Sequence, residues 1–240
     1  MSLFRDRGVV LRGIRLGETD RIVTILTEEH GKVRAVARGV RRPGSRFGAR
    51  LEPLSHVAFL GWQGRGDLDT MNQVEVVDTF RAVREDLDRM AGALTMLEVA
   101  DQVAQERHAN PGLYRMLVGA LGALNERPSP MVAPAFLLKV LALDGSAPVL
   151  DGCVSCGRDG VELVAFDLVE GGALCRGCRR GRPVTPGALE MMRRTLQGGL
   201  AGVLAEPPSA EADEVAALVT EAMEVHLDRR LRSARSGVLP

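Results

Sequence analysis

RGVVLRGIRLGETDRIVTILTEEHGKVRAVAR, residues 7–38, alternates apolar and polar side chains with a period of two and is interrupted twice by turns that contain Gly. The pattern predicts three successive β-strands. In the last of them Val33, Ala35 and Ala37 share one face, and Lys32, Arg34, Val36 and Arg38 share the other. One side of that strand is therefore expected in a core and the opposite side is cationic. Two further runs, LSHVAFLG (54–61) and TMNQVEVVD (70–78), repeat the alternation. Five strands between Arg7 and Asp78, with no helical run long enough for a parallel crossover, predict a small antiparallel barrel.

The charge in this region is lopsided. The whole chain of 240 residues has a formal net charge of zero, yet residues 1–50 hold twelve Lys or Arg and only five acids. The remainder is correspondingly acidic. Within VRAVARGVRRPGSRFGAR, residues 33–50, there are six arginines and no acid, set in a Gly/Pro/Ser loop. A solvated loop explains isolated charges. Lys32, Arg34, Arg38, Arg41, Arg42, Arg46 and Arg50 run together from a strand face into the loop, which favours binding of a polyanion. Aromatic side chains for base stacking are few: Phe47 alone lies in the stretch, while Phe4, Phe59, Trp62 and Phe80 are equally suited to a core. Affinity is expected to come from phosphate neutralisation and to fall steeply with salt.

After Phe80 the apolar spacing lengthens to three and four. Residues 81–107, 111–126 and 130–145 read as helical, Asn110-Pro111 as a helix opening, and 185–197 and 209–232 as further helices capped by Thr185 and Ser209. In the last helix Val215, Leu218, Val219, Ala222 and Val225 form the expected buried stripe. Between the helical blocks lies a Gly-rich segment that holds all four cysteines, Cys153, Cys156, Cys175 and Cys178, as C-x2-C, eighteen residues, C-x2-C. Two such knuckles close a tetrahedral all-thiolate shell around Zn2+, with VELVAF supplying a hairpin between them. Two disulfides are the competing interpretation, disfavoured in a reducing compartment. With sulfur at all four positions no site remains for water, so the zinc is expected to be structural rather than catalytic. A second acid-free group, Arg176, Arg179, Arg180 and Arg182, lies on and after the last knuckle. With Arg193 and Arg194 it forms a secondary candidate for DNA binding.

Enzyme signatures are missing. None of the four His is followed by an x-E pair, no H-E-x-x-H or G-x-S-x-G occurs, and Gly31-Lys32 lacks the rest of a phosphate-binding loop. The start, MSLFRDRG, carries three charges where a signal peptide is apolar, and no run is long enough to cross a bilayer. These features lead to the expectation of a cytoplasmic protein with no membrane partner.

Residues 8–54 carry a resemblance. Gly17, Glu18, Asp20, Arg21, Thr27, Gly31, Lys32, Gly39, Arg41, Arg42 and Ser45 stand as in a G-E-x-D-R turn, a T-x-x-x-G-K hairpin and a basic loop ending in Ser. LDGCVSCG and FDLVEGGALCRGC continue it. The sequence resembles the bacterial RecO family of recombination mediators along essentially its whole length. That resemblance implies an α+β multi-domain fold: an OB-fold barrel at 1–79, a helical domain at 80–149 and 184–240, and a zinc-ribbon-like module at 150–183 inserted between its helices. It also implies a non-catalytic activity: binding single- and double-stranded DNA, annealing complementary strands, and working with RecR to place RecA on DNA coated by single-stranded DNA-binding protein, whose acidic C-terminal tail the helical region contacts. Two other classes stay open at this point. One is a zinc-ribbon scaffold docking an acidic protein, and the other an unrecognised enzyme acting on nucleic acid.

Overall fold

A computed structural model describes residues 2–45, 47–64 and 66–233. The chain forms two compact units, residues 1–126 and 127–240.

The first unit is built on five strands: β1 (Leu3–Leu16), β2 (Asp20–Thr27), β3 (Lys32–Ala37), β4 (His56–Trp62) and β5 (Asp69–Asp78). They close into a barrel in the order β1-β2-β3-β5-β4, the OB-like architecture. One neighbouring pair departs from the antiparallel expectation: β3 and β5 run parallel, with Ala35 opposite Asp69 and Val36 opposite Thr70. The reason is parity. Direction cannot alternate all the way round a closed ring of five strands, so at least one pair must be parallel. The longest strand, β1, makes closure possible by pairing with β4 through Leu3–Val9 and with β2 through Gly8–Leu16, with a bulge between Val10 and Arg12. The alternation seen in the sequence is realised in β3: Val33, Ala35 and Ala37 are buried, while Lys32, Arg34 and Val36 are half-buried on the outside. Val10, Val23, Ile25, Val57, Phe59 and Met71 fill the interior, and Val40, Phe47 and Leu51 join them from the basic loop.

Three helices complete this unit: α1 (Arg81–Arg84), α2 (Leu87–Val103) and α3 (Pro111–Glu126). The run 81–107 is broken because Asp86 takes an extended conformation and caps α2, accepting hydrogen bonds from the amides of Asp88 and Arg89. The Asn110 side chain accepts from the Leu113 amide at the start of α3. The segment leaving α2 lies along the barrel. Lys32 N–H donates to Gln105 O and Arg107 N–H to Lys32 O, at 3.1 Å each. A side chain at Gly31, where φ is +69°, would strike the His108 backbone. Buried contacts such as His56 Nε2 to Tyr114 Oη at 2.9 Å tie α3 to the same barrel. The boundary between the units therefore falls inside the 80–149 segment, because α2 and α3 have the barrel as their partner.

The second unit contains α4 (Val132–Leu143), a three-stranded sheet of β6 (Leu163–Asp167), β7 (Gly172–Cys175) and β8 (Arg182–Pro183), and the helices α5 (Pro186–Leu196), α6 (Leu200–Ala205) and α7 (Ala210–His226). β6 and β7 form the hairpin expected between the knuckles. Thr185 and Ser209 cap α5 and α7 as expected, accepting from the amides of Ala188 and Ala212. The short α6 has no counterpart in the sequence reading. In α7, Val215, Leu218 and Val219 are buried as expected, but Met223 completes the stripe and Val225 is exposed. Among the described residues no helix is long and apolar enough to cross a membrane.

Candidate nucleic-acid interface and metal centre

The basic loop leaves β3 at Arg38 and is fastened to the turn between β1 and β2. Asp20 is the fastener. Its carboxylate accepts hydrogen bonds from the Gly39 amide at 2.8 Å and from the Thr19 hydroxyl at 2.9 Å. The Gly39 amide, then Thr19, then the charges of Arg38 and Arg42 hold the Asp20 carboxyl below the usual carboxylate range. Arg41 makes the second attachment, its backbone N–H donating to Thr19 O at 3.0 Å and its guanidinium to Glu18 O at 3.0 Å. These contacts belong to the G-E-x-D-R turn. That motif was visible in the sequence, although the part Asp20 plays in holding the loop was not.

The cationic residues divide into two groups. Lys32 and Arg34 face the end of α2 and the segment after it: Lys32 Nζ lies 2.6 Å from Asp101 O and 3.5 Å from its carboxylate, and Arg34 lies 3.8 Å from Glu106. Arg12 adds a 2.6 Å ion pair to the same Asp101. Arg38, Arg41 and Arg42 are exposed and have no carboxylate ion-pair partner among the described residues. Arg50 is exposed on the short turn Gly48–Leu51. Arg46 lies outside the described residues. Phe47, the one aromatic in the stretch, is 1% exposed and packed in the barrel core, so it presents no face to a ligand.

The secondary candidates are differently placed. Arg176 pairs with Glu162 at 2.9 Å and Arg180 with Asp167 and Glu170 at 2.7 and 2.6 Å. Arg182 pairs with Glu221 at 3.0 Å, Arg193 with Asp151 at 3.0 Å and Arg194 with Glu206 at 2.6 Å. Only Arg179, of these six, is exposed without a carboxylate partner among the described residues. A cluster that is free of acids in the sequence meets acids in space.

The four cysteines converge, their sulfurs all within 4.8 Å of one another. None is joined to another by a disulfide, and Cys156 Sγ and Cys175 Sγ are 3.9 Å apart. A tetrahedral zinc with the usual Zn–S length separates its sulfurs by about 3.8 Å, so the donor set fits one such ion. The first knuckle is closed by Gly157 N–H to Cys153 O at 2.8 Å and Cys153 N–H to Arg158 O at 3.0 Å. Amide donors favour the thiolate: the Cys175 backbone N–H, with burial opposing it, brings Cys153 down to about 6. Cys178, sharing protons with Cys156 and Cys175, is pushed up to about 11. The Arg158 guanidinium donates to Cys156 Sγ at 3.4 Å, which lowers that thiol as well.

Sequence models of two parts of one protein cover nearly the whole chain. That of the N-terminal part of recombination protein O matches residues 1–80, and that of its C-terminal part matches residues 84–235. The chain belongs to the recombination protein O family. Family members are DNA-binding mediators of repair and recombination, not enzymes, which accounts for the missing catalytic motifs and sets aside the enzyme and scaffold alternatives. The closed barrel, the helical part and the cysteine cluster lying between helices in the chain agree with that assignment. The family members act within the recombination machinery, on DNA, and the four-cysteine cluster is compatible with a structural metal.

Proposed function

We propose that this protein grips single- and double-stranded DNA through Arg38, Arg41 and Arg42, supported by Arg46 and Arg50, with Lys32 and Arg34 adding to the field from behind. The observation that carries the proposal is the exposure of three arginines, without a carboxylate ion pair among the described residues, on a loop held in place by Asp20. Such a surface lowers the repulsion between two approaching polyanions by releasing their counterions, which is the physical requirement for annealing complementary strands. In this reading the protein anneals strands and, with RecR, helps RecA onto DNA coated by single-stranded DNA-binding protein, contacting the acidic tail of that coat. Association with the nucleoid follows from it. The ion-paired arginines between Arg176 and Arg194 are at most a secondary surface.

The metal in this reading is Zn2+ held by Cys153, Cys156, Cys175 and Cys178, where it supplies a cross-link for a segment with little core of its own. The experiment is annealing of complementary oligonucleotides, with the triple variant Arg38→Glu, Arg41→Glu, Arg42→Glu alongside the unaltered protein. Annealing and DNA binding by the variant are expected to disappear. Unchanged annealing would show that the loop is not the DNA-binding element.

A further inference from the structure

The four cysteines are unequal in their access to solvent. Cys153 is 2% and Cys175 5% exposed, Cys178 is half-buried, and of the four only Cys156 is exposed. A cation stands beside that exposed sulfur, the Arg158 guanidinium donating to Cys156 Sγ at 3.4 Å. The same guanidinium reaches over Gly177 in the second knuckle, where a Cβ would lie 3.9 Å from its Nη2 and 3.9 Å from Cys175 Sγ. Cys156 Sγ is itself 3.9 Å from Cys175 Sγ, so the exposed sulfur of one knuckle touches a buried sulfur of the other. A thiolate is the form that attacks electrophiles, and a bound metal keeps all four sulfurs in that form. Access then decides which one reacts, and a neighbouring guanidinium stabilises the anion that leaves.

We propose that Cys156 is a site of reversible oxidation by hydrogen peroxide, with Cys175 as the sulfur that closes a disulfide onto it across the two knuckles. In the first step Cys156 Sγ forms an S–O bond as the O–O bond of the peroxide breaks, and hydroxide leaves beside Arg158. In the second, Cys175 Sγ forms the S–S bond as that S–O bond breaks, and a second hydroxide leaves. The two sulfurs together give up two electrons and the peroxide takes them. Each hydroxide becomes water by taking a proton from solvent. Two thiolates remain, too few for a closed four-sulfur shell, so the modification releases the metal. A dithiol reductant reverses it by taking the disulfide onto itself.

The consequence reaches past the knuckles. Arg180, two residues after Cys178, pairs with Asp167 at 2.7 Å and with Glu170 at 2.6 Å. Asp167 Oδ1 accepts from the amides of Val169 and Glu170 at 2.9 and 3.0 Å, which shapes the turn between β6 and β7. That turn walls a cavity of about 410 Å3 whose other sides include Leu138, Met192 and Leu218. Opening the second knuckle frees Arg180, so oxidation at Cys156 loosens the turn and the cavity wall with it. The inference rests on the zinc assignment made above and is independent of the DNA-binding arginines of the first unit.

The full-length, zinc-loaded protein is treated with hydrogen peroxide while a metallochromic chelator follows zinc. The products are alkylated and mapped by mass spectrometry, and amide hydrogen exchange is read at Val169 and Glu170. Zinc release is expected to keep pace with a Cys156–Cys175 disulfide and with faster exchange at both amides, and a dithiol with added zinc is expected to restore the starting state. Arg158→Ala leaves all four ligands in place and is expected to bind zinc normally but release it about tenfold more slowly in peroxide, a modest factor because the site is open to water. Arg158→Lys, which keeps the charge, is expected to recover most of that rate. A first disulfide joining any other pair, an unchanged rate in Arg158→Ala, or unchanged exchange at Val169 and Glu170 after oxidation overturns the inference. Fresh protein without zinc defeats the metal assignment as well, before any peroxide is added, whereas zinc that survives peroxide defeats this inference alone.

Discussion

Replacing Arg38, Arg41 and Arg42 with Ala removes three exposed guanidinium groups and breaks no carboxylate ion pair among the described residues. It also removes the hydrogen bond from the Arg41 guanidinium to Glu18 O, but the loop keeps its attachments through the Gly39 and Arg41 amides, so the electrostatic part of the change in DNA binding can be sized. For a single strand the slope of log K against log salt is about −0.7 per phosphate neutralised, so three lost contacts flatten it by about 2. At an ionic strength of about 0.1 M each contact is worth roughly fivefold in affinity, and the three together about a hundredfold. The two salt lines should meet near 1 M, where counterion release no longer favours binding. The assay is anisotropy of a labelled oligo-deoxythymidine across a salt series. A matched variant, Arg193→Ala with Arg194→Ala, removes two arginines already paired with Asp151 and Glu206 and is expected to change the slope by less than about 1. An unchanged slope in the triple variant, or a larger change in the double one, would refute the assignment of the interface.

Three further outcomes follow. Asp20→Asn removes an acid from beside the arginines, so charge alone favours tighter DNA binding. Because Asp20 also fastens the loop through the Gly39 amide, the net expectation is weaker binding with faster hydrogen exchange at Gly39, and tighter binding with unchanged exchange would count against the fastener. Cys175→Ser is expected to abolish the roughly stoichiometric zinc found by metal analysis and to lower Tm by about 10 °C, with any effect on DNA indirect; fresh protein lacking zinc would remove that prediction. Burial against Tyr114 holds His56 below the ordinary histidine value of 6.5, so the folded state resists its protonation. The unfolded chain binds that proton more readily, and stability present above pH 6.5 is lost as pH falls through 6.5 toward the folded value. Urea midpoints at two pH values should show the loss, and His56→Gln should reduce it; an equal pH dependence in the variant would assign the effect elsewhere.

Much of the local structure was legible because its causes are local. Side-chain alternation fixed which face of β3 is buried, and the caps at Thr185 and Ser209 marked where α5 and α7 begin. Two C-x2-C pairs announced a thiolate cluster, since the short spacing makes each knuckle a single turn. Phe47, expected as the stacking aromatic of the basic stretch, is instead in the barrel core, because nothing within a loop sequence says whether a ring turns inward. The same holds for α2, broken by one carboxylate at Asp86, and for Val225, whose exposure depends on what packs against α7.

The sequence by itself determined the strands, the helices, the metal-binding spacing and the concentration of arginine near the N-terminus, all of which depend on neighbours a few residues apart. Only the tertiary structure decided which arginines remain available. Lys32 meets Asp101, Arg182 meets Glu221 and Arg194 meets Glu206 across chain separations that no local pattern encodes, whereas Arg38, Arg41 and Arg42 form no carboxylate ion pair among the described residues. Charge acts through space, so where a cation is free to bind is a property of the folded chain.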